Sequence, residues 1–133
     1  MPQRYPPDDP REWLNRSRSN LTMAKSKVEG VYLEDLCFNA QQAVEKAIKA
    51  LLIKYDIEFP YKHNIAELLT LLEETGQPIP DFVRKSAGLT RFAVTTRYPR
   101  MSPPIKQEEY EQALTIAEQV VLWAEELISG RRR

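Results

Sequence analysis

Cysteine is nearly absent: Cys37 is the only one in 133 residues, so no internal disulfide and no zinc site built on cysteines is available. Histidine is as sparse, and His63 by itself makes neither a catalytic triad nor a multi-histidine metal site. Glycine occurs four times, and the chain holds no phosphate-cradling glycine loop, no Gly-x-Ser-x-Gly elbow and no dinucleotide fingerprint. There is no long apolar run; none approaches the ~18 residues of a membrane span, and Met1 to Pro10 carries four prolines instead of a leader's apolar stretch. The expected setting is therefore a reducing cytoplasm without membrane insertion. Net charge is also missing, since 19 Lys and Arg meet 19 Asp and Glu, which excludes a strongly basic nucleic-acid coat and an acidic tail protein. No segment alternates apolar and polar residues long enough to predict a strand, and no internal repeat or low-complexity tract occurs.

What remains is an ordinary globular composition, 42% hydrophobic and 29% charged, at the length of one domain spanning 1–133. Residues 1–8 read as a loose lead-in and 130–133 as a basic tail ending in Arg131, Arg132 and Arg133. The ten prolines punctuate the chain and leave proline-free blocks at 11–59, 61–77, 81–98 and 105–133. Because an interior proline costs a helix about 3 kcal/mol, these blocks read as helices.

Asp9 and Pro10 form an N-cap and first-position proline, and Trp13, Leu14, Leu21, Ala24 and Val28 recur at helical steps until Gly30, predicting a first helix over about 10–29. A second is predicted over about 32–55, with an apolar stripe from Leu36 to Tyr55 and a polar face of Gln41, Gln42, Glu45, Lys46 and Lys49. A short third helix spans about 64–75, capped by Asn64. The fourth covers about 81–97, capped by Asp81 and interrupted by Gly88, and the fifth about 106–129, ended by Gly130. The expected fold class is all-α, an up-down four-helix bundle with one additional short helix lying as a strut across one end. Cys37 lies on the buried stripe and reads as an inert core thiol. No Glu-x-x-His pair exists for a di-iron centre, and neither a metal nor a cofactor is expected.

Neutrality conceals local patches. Residues 1–81 hold ten basic and thirteen acidic side chains; Phe82 to Gln107 holds no acid, but carries Arg84, Lys85, Arg91, Arg97, Arg100 and Lys106; residues 108–130 hold six glutamates and no Lys or Arg. Arg84 and Arg91, seven apart, share a helix face with Arg97 at its edge, a placement expected to suit bidentate holding of phosphate by guanidinium groups and stacking of Tyr98 on a base. The competing reading has the basic fourth helix beside the acidic fifth, their charges solvated or paired. His63, just ahead of the third helix, either caps that junction or acts as a general acid/base or phosphate contact, which requires Arg97 or Tyr98 to approach it.

Four stretches together resemble the HEPN (higher eukaryotes and prokaryotes nucleotide-binding) domain family. They are Asp9-Pro10-Arg11-Glu12-Trp13-Leu14, the segment from Phe38 to Leu52 containing Gln41-Gln42-Ala43-Val44-Glu45-Lys46, then His63-Asn64-Ile65 with Leu68-Leu69, and Thr96-Arg97-Tyr98-Pro99. The likeness spans about 9–129. It implies a helical bundle that forms a homodimer and a partnership with a separately encoded minimal nucleotidyltransferase, as in toxin–antitoxin pairs, with a nucleotide or RNA as ligand. It marks His63, Arg97 and Tyr98 by matching position, and with Arg91 these make the expected ligand site. Active HEPN ribonucleases carry an Arg followed after four to six residues by a His. Here no histidine follows Arg97, and Asp56, Ile57 and Glu58 stand where an arginine should precede His63. The expected function is thus a binding module for nucleotide, RNA or partner; the alternative is a metal-independent RNA endonuclease using His63 and Arg97.

Overall fold

Asp9 takes extended backbone, and its carboxylate accepts the Arg11 amide at 2.9 Å while Pro10 fills the first helical position, so α1 starts where the sequence places it and runs Pro10–Lys25. A computed structural model of the chain describes residues 2–59, 64–94 and 103–130. The helix ends four residues short of expectation. Ser26 turns its hydroxyl back to the Thr22 carbonyl and its amide to Met23, and Val28, expected in the core, is 60% exposed.

The second helix, α2, runs Leu33–Lys54 and closes in a Schellman turn: the Ile57 amide reaches the Leu52 carbonyl and the Asp56 amide reaches Ile53. The left-handed position in that turn is held by Asp56, at φ 57°. Asn64 caps α3, Ile65–Glu73, by accepting the Glu67 amide.

The predicted fourth rod is not one helix. It breaks into α4, Asp81–Lys85, a 3-10 turn at Ser86–Thr90, and α5, Arg91–Val94. Pro80, in extended conformation, occupies the N-cap in place of Asp81. Ser86 bends its hydroxyl onto the Val83 carbonyl, and Gly88 lowers the helix preference of the next turn. The last helix, α6, runs Gln107–Ser129; the Glu109 carboxylate accepts the Lys106 amide at its start, and Gly130 at φ 74° ends it.

The described residues contain helices and no strand, and no helix among them is long and apolar enough to cross a membrane. Packing centres on α2, which touches α1, α3, α5, α6 and the 3-10 turn, while α6 also packs on α1 and α4. Alanine at 40, 43, 47 and 50 explains the crowding, since a helix with so many methyl-sized side chains admits close neighbours on several sides. The core gathers Leu36, Val44, Ile48, Leu51 and Leu52 of α2 with Leu14, Leu68, Leu72, Val83, Phe92, Val120 and Val121. Each such side chain contributes roughly 1.5–3 kcal/mol through burial. Tyr110 ties α6 to α1 by donating its hydroxyl to the Ala24 carbonyl at 2.7 Å.

Candidate functional site

The polar face of α2 is covered in the folded chain. Gln41, Gln42, Glu45 and Lys49, read from the sequence as the face opposite the apolar stripe, are 0%, 8%, 2% and 6% exposed. They form one hydrogen-bonded row: Gln42 donates to the Gln41 side-chain Oε1 at 2.8 Å, Gln41 donates to Glu45 at 3.0 Å, and the Lys49 ammonium donates to the other Glu45 oxygen at 2.8 Å. Lys49 also lies 5.3 Å from the Phe59 ring centre and 5.8 Å from that of Trp13, two rings packed edge to face. The physical reason is helical spacing: Gln41, Glu45 and Lys49 succeed one another by four residues, so the row satisfies itself along the helix and tolerates being covered. Among the described residues no buried side-chain nitrogen or oxygen lacks a partner.

Polar groups of α1 meet this side of α2. Ser17 donates to the Ala43 carbonyl at 2.6 Å, and Asn20 donates to Asn39 while accepting the Lys46 ammonium at 2.8 Å. Lys46 is half-buried, and that desolvation lowers its pKa, opposed by the neighbouring Glu45 charge and reinforced by Arg16 and Lys49. Cys37 is fully buried as expected, and burial pushes its thiol up to about 12.

Of the four expected ligand residues, His63, Arg97 and Tyr98 lie outside the described residues. Arg91 opens α5, with its guanidinium 3.2 Å from the Glu109 carboxylate of α6 and 4.3 Å above the Phe92 ring. Glu109 is held below the usual carboxylate range chiefly by the Lys106 amide, and further by Arg91. Arg84 pairs with Glu73 of α3. Lys85 lines an open groove with Phe82, Glu108 and Glu111. Where it is described, the basic stretch therefore has acids of α3 and α6 beside it, the arrangement weighed above as the competing reading.

The lead-in, expected to be loose over 1–8, is fastened to α1 through its described residues 2–8. The Tyr5 amide donates to Glu12 at 2.9 Å, Asn15 to the Gln3 carbonyl at 2.9 Å, and the Trp13 indole to the Pro7 carbonyl at 2.8 Å. Glu12, buried at this junction, also accepts Arg16 at 2.7 Å, and its pKa is lowered first by the Tyr5 amide and then by Arg16. Between strap, α1 and α2 lies an open groove of about 620 Å3 lined by Arg4, Tyr5, Glu12, Trp13, Arg16 and Lys46. A second, of about 640 Å3, shares Trp13 in its lining and is otherwise lined by Asp8, Lys49, Asp56, Glu58 and Phe59 among others. Sequence reasoning missed the first because its cations come from three separate segments. The one local signal was Glu12 and Arg16 at i,i+4.

A single buried helix wrapped by others, with charged grooves on its flank, makes an all-helical domain, and among the described residues no cluster of His, Cys, Asp or Glu could hold a metal ion. The HEPN domain matches residues 10–127, and the chain belongs to that family. Two solved structures are similar to it: TT1696 from Thermus thermophilus, at 33% identity over 88% of this chain and 96% of that one with a TM-score of 0.75, and ST0689, an archaeal HEPN homologue, at 26% identity over 90% and 98% with a TM-score of 0.72. No curated protein matches the chain.

Proposed function

We propose that this chain is a HEPN-family binding module that self-associates in the cytoplasm and engages a nucleotide, an RNA or a minimal nucleotidyltransferase through the stretch around Arg91, Arg97 and Tyr98, with His63 as a further contact. The observation that carries this reading is the acid-free run from Phe82 to Gln107 with its six cations, set in a chain that matches the family from 10 to 127. Guanidinium groups suit phosphate because they present a planar fork of donors, and an adjacent tyrosine suits a base. Arg91 already faces Glu109, so a phosphate arriving there competes with that carboxylate. In a toxin–antitoxin-like pair, nucleotidylation of an exposed hydroxyl by the partner would silence the module, and Tyr98 is the hydroxyl we assign to that role.

Nucleotide affinity of the purified chain before and after Arg97→Ala tests the reading. A loss of at least tenfold, the equivalent of about 1.4 kcal/mol, is expected; unchanged affinity removes the stretch as a site. Incubating the protein with structured RNA in the absence of metal provides the second arm. Cleavage that disappears in His63→Ala would replace this reading with the endonuclease one.

A further inference from the structure

The two grooves flanking Trp13 differ in charge, and that difference selects a ligand. The first gathers Arg4, Arg16 and Lys46 against one carboxylate, Glu12, whose two oxygens are already occupied by the Tyr5 amide and by Arg16. The second, which also borders Trp13, presents Asp8, Asp56 and Glu58 against Lys49, which is itself paired with Glu45. An anion is drawn to the first and repelled by the second.

Trp13 is held from two sides, its Nε1 donating to the Pro7 carbonyl and its ring edge to face with Phe59 at 5.7 Å, so the indole that lines the cationic groove is fixed in place. Tyr5 is less free to serve, because the Arg11 guanidinium sits 4.1 Å over its ring. The Arg16 guanidinium is oriented by Glu12 through its Nε while the side chain stays 54% exposed, and Lys46 is aimed by Asn20. A cavity of about 620 Å3 lies in the ordinary range for small-molecule sites, roughly 300–1,000 Å3.

We propose that this groove is a second phosphate site, taking a nucleoside monophosphate whose phosphate meets Arg4, Arg16 and Lys46 and whose base lies on the Trp13 indole. The proposal shares its ligand class with the reading above but not its location, since Arg91 sits with Glu109 at the start of α6 whereas this groove is built on the strap, α1 and Lys46.

Trp13 supplies its own reporter. The chain has two tryptophans, and Trp123→Phe leaves Trp13 as the sole indole. In that background AMP should change indole emission saturably, and inorganic phosphate and adenosine should each bind more weakly than AMP. Arg4→Glu, on an exposed side chain of the strap, and Lys46→Met, which keeps the aliphatic stem, should each weaken AMP at least tenfold, with circular dichroism confirming that both variants fold. Arg97→Ala should leave the Trp13 response intact. Absence of a saturable response, phosphate binding as tightly as AMP, or binding unaffected by both groove variants overturns the proposal. If AMP binding is lost in Arg97→Ala while Arg4→Glu and Lys46→Met bind as the parent does, the second site fails and the reading at the basic stretch survives.

Discussion

Helices α2 and α6 are nearly equal in length, at 22 and 23 residues, and each carries six charged side chains on a regular apolar stripe, yet the protein buries one almost entirely and leaves half of the other in water. In α2 the charges are three acids and three bases, with Glu45 and Lys49 one turn apart; in α6 all six are glutamates. Opposite charges at i,i+4 neutralise each other and are covered at modest cost, whereas a row of carboxylates has no internal counter-ion and must face solvent or basic neighbours. The bases α6 meets come from elsewhere: Arg18 reaches Glu125, Lys25 reaches Glu118 and Arg91 reaches Glu109. Charge pattern along a helix, beyond its apolar stripe, decides how many faces can be covered.

Removing one member of each kind of pair should separate the helices most clearly. Glu45→Ala strands the Lys49 ammonium in a covered site and should cost about 3–5 kcal/mol in urea unfolding. Glu118→Ala on α6, where both partners are about half exposed, should cost no more than about 1 kcal/mol. Equal losses would break the comparison. Replacing Glu45 and Lys49 together by methionine should recover part of the first loss.

The helix ends offer a smaller contrast. Both end in a left-handed residue, Asp56 after α2 and Gly130 after α6. Asp56→Gly should raise stability by up to about 1 kcal/mol and Gly130→Ala should lower it by a similar amount, roughly the difference between glycine and other residues in that conformation. Thermal unfolding of the two variants would show shifts of opposite sign.

Acid should act at the starts of α1 and α6, whereas the buried thiol of α2 stays protonated until strongly alkaline pH. The carboxyls of Asp9, Glu12 and Glu109 have folded pKa values below their ordinary ones, from 3.8 for Asp9 and 4.5 for the glutamates. The stability they contribute is present above about pH 4.5 and is lost as pH falls through the lowered folded values. Glu109→Gln should flatten that acid limb, and an unchanged limb would contradict it. At the other extreme Cys37, buried with its thiol pushed up to about 12, should resist iodoacetamide at pH 8 in the native protein and react after unfolding.

Much of the fold was legible because local rules agreed with tertiary packing. Asp9 and Pro10 set the start of α1, Gly130 the end of α6, and the 3.6-residue recurrence of apolar side chains located α2 and α6 to within a residue. The prediction of one helix over 81–97 failed where local signals conflict, at Ser86 and Gly88. The sequence set Gln41, Gln42, Glu45 and Lys49 on one polar face of α2 without deciding whether that face is covered; their spacing lets them satisfy one another, and the fold covers all four. Of the expected ligand residues only Arg91 falls in the described part, paired with a glutamate eighteen residues away. The groove beside Trp13 was invisible in sequence because Arg4, Arg16 and Lys46 are separated by up to forty-two positions.

Sequence alone determined that this chain is helical, where its principal helices lie and which apolar stripe each turns inward, since backbone propensity, capping and periodicity act over a few residues. Tertiary structure alone decided that α2 is enclosed on its polar side as well, that the proline-rich lead-in is fastened to α1, and which cations share a groove. Those outcomes depend on surfaces brought together from distant segments, and on whether each covered polar group finds its partner there.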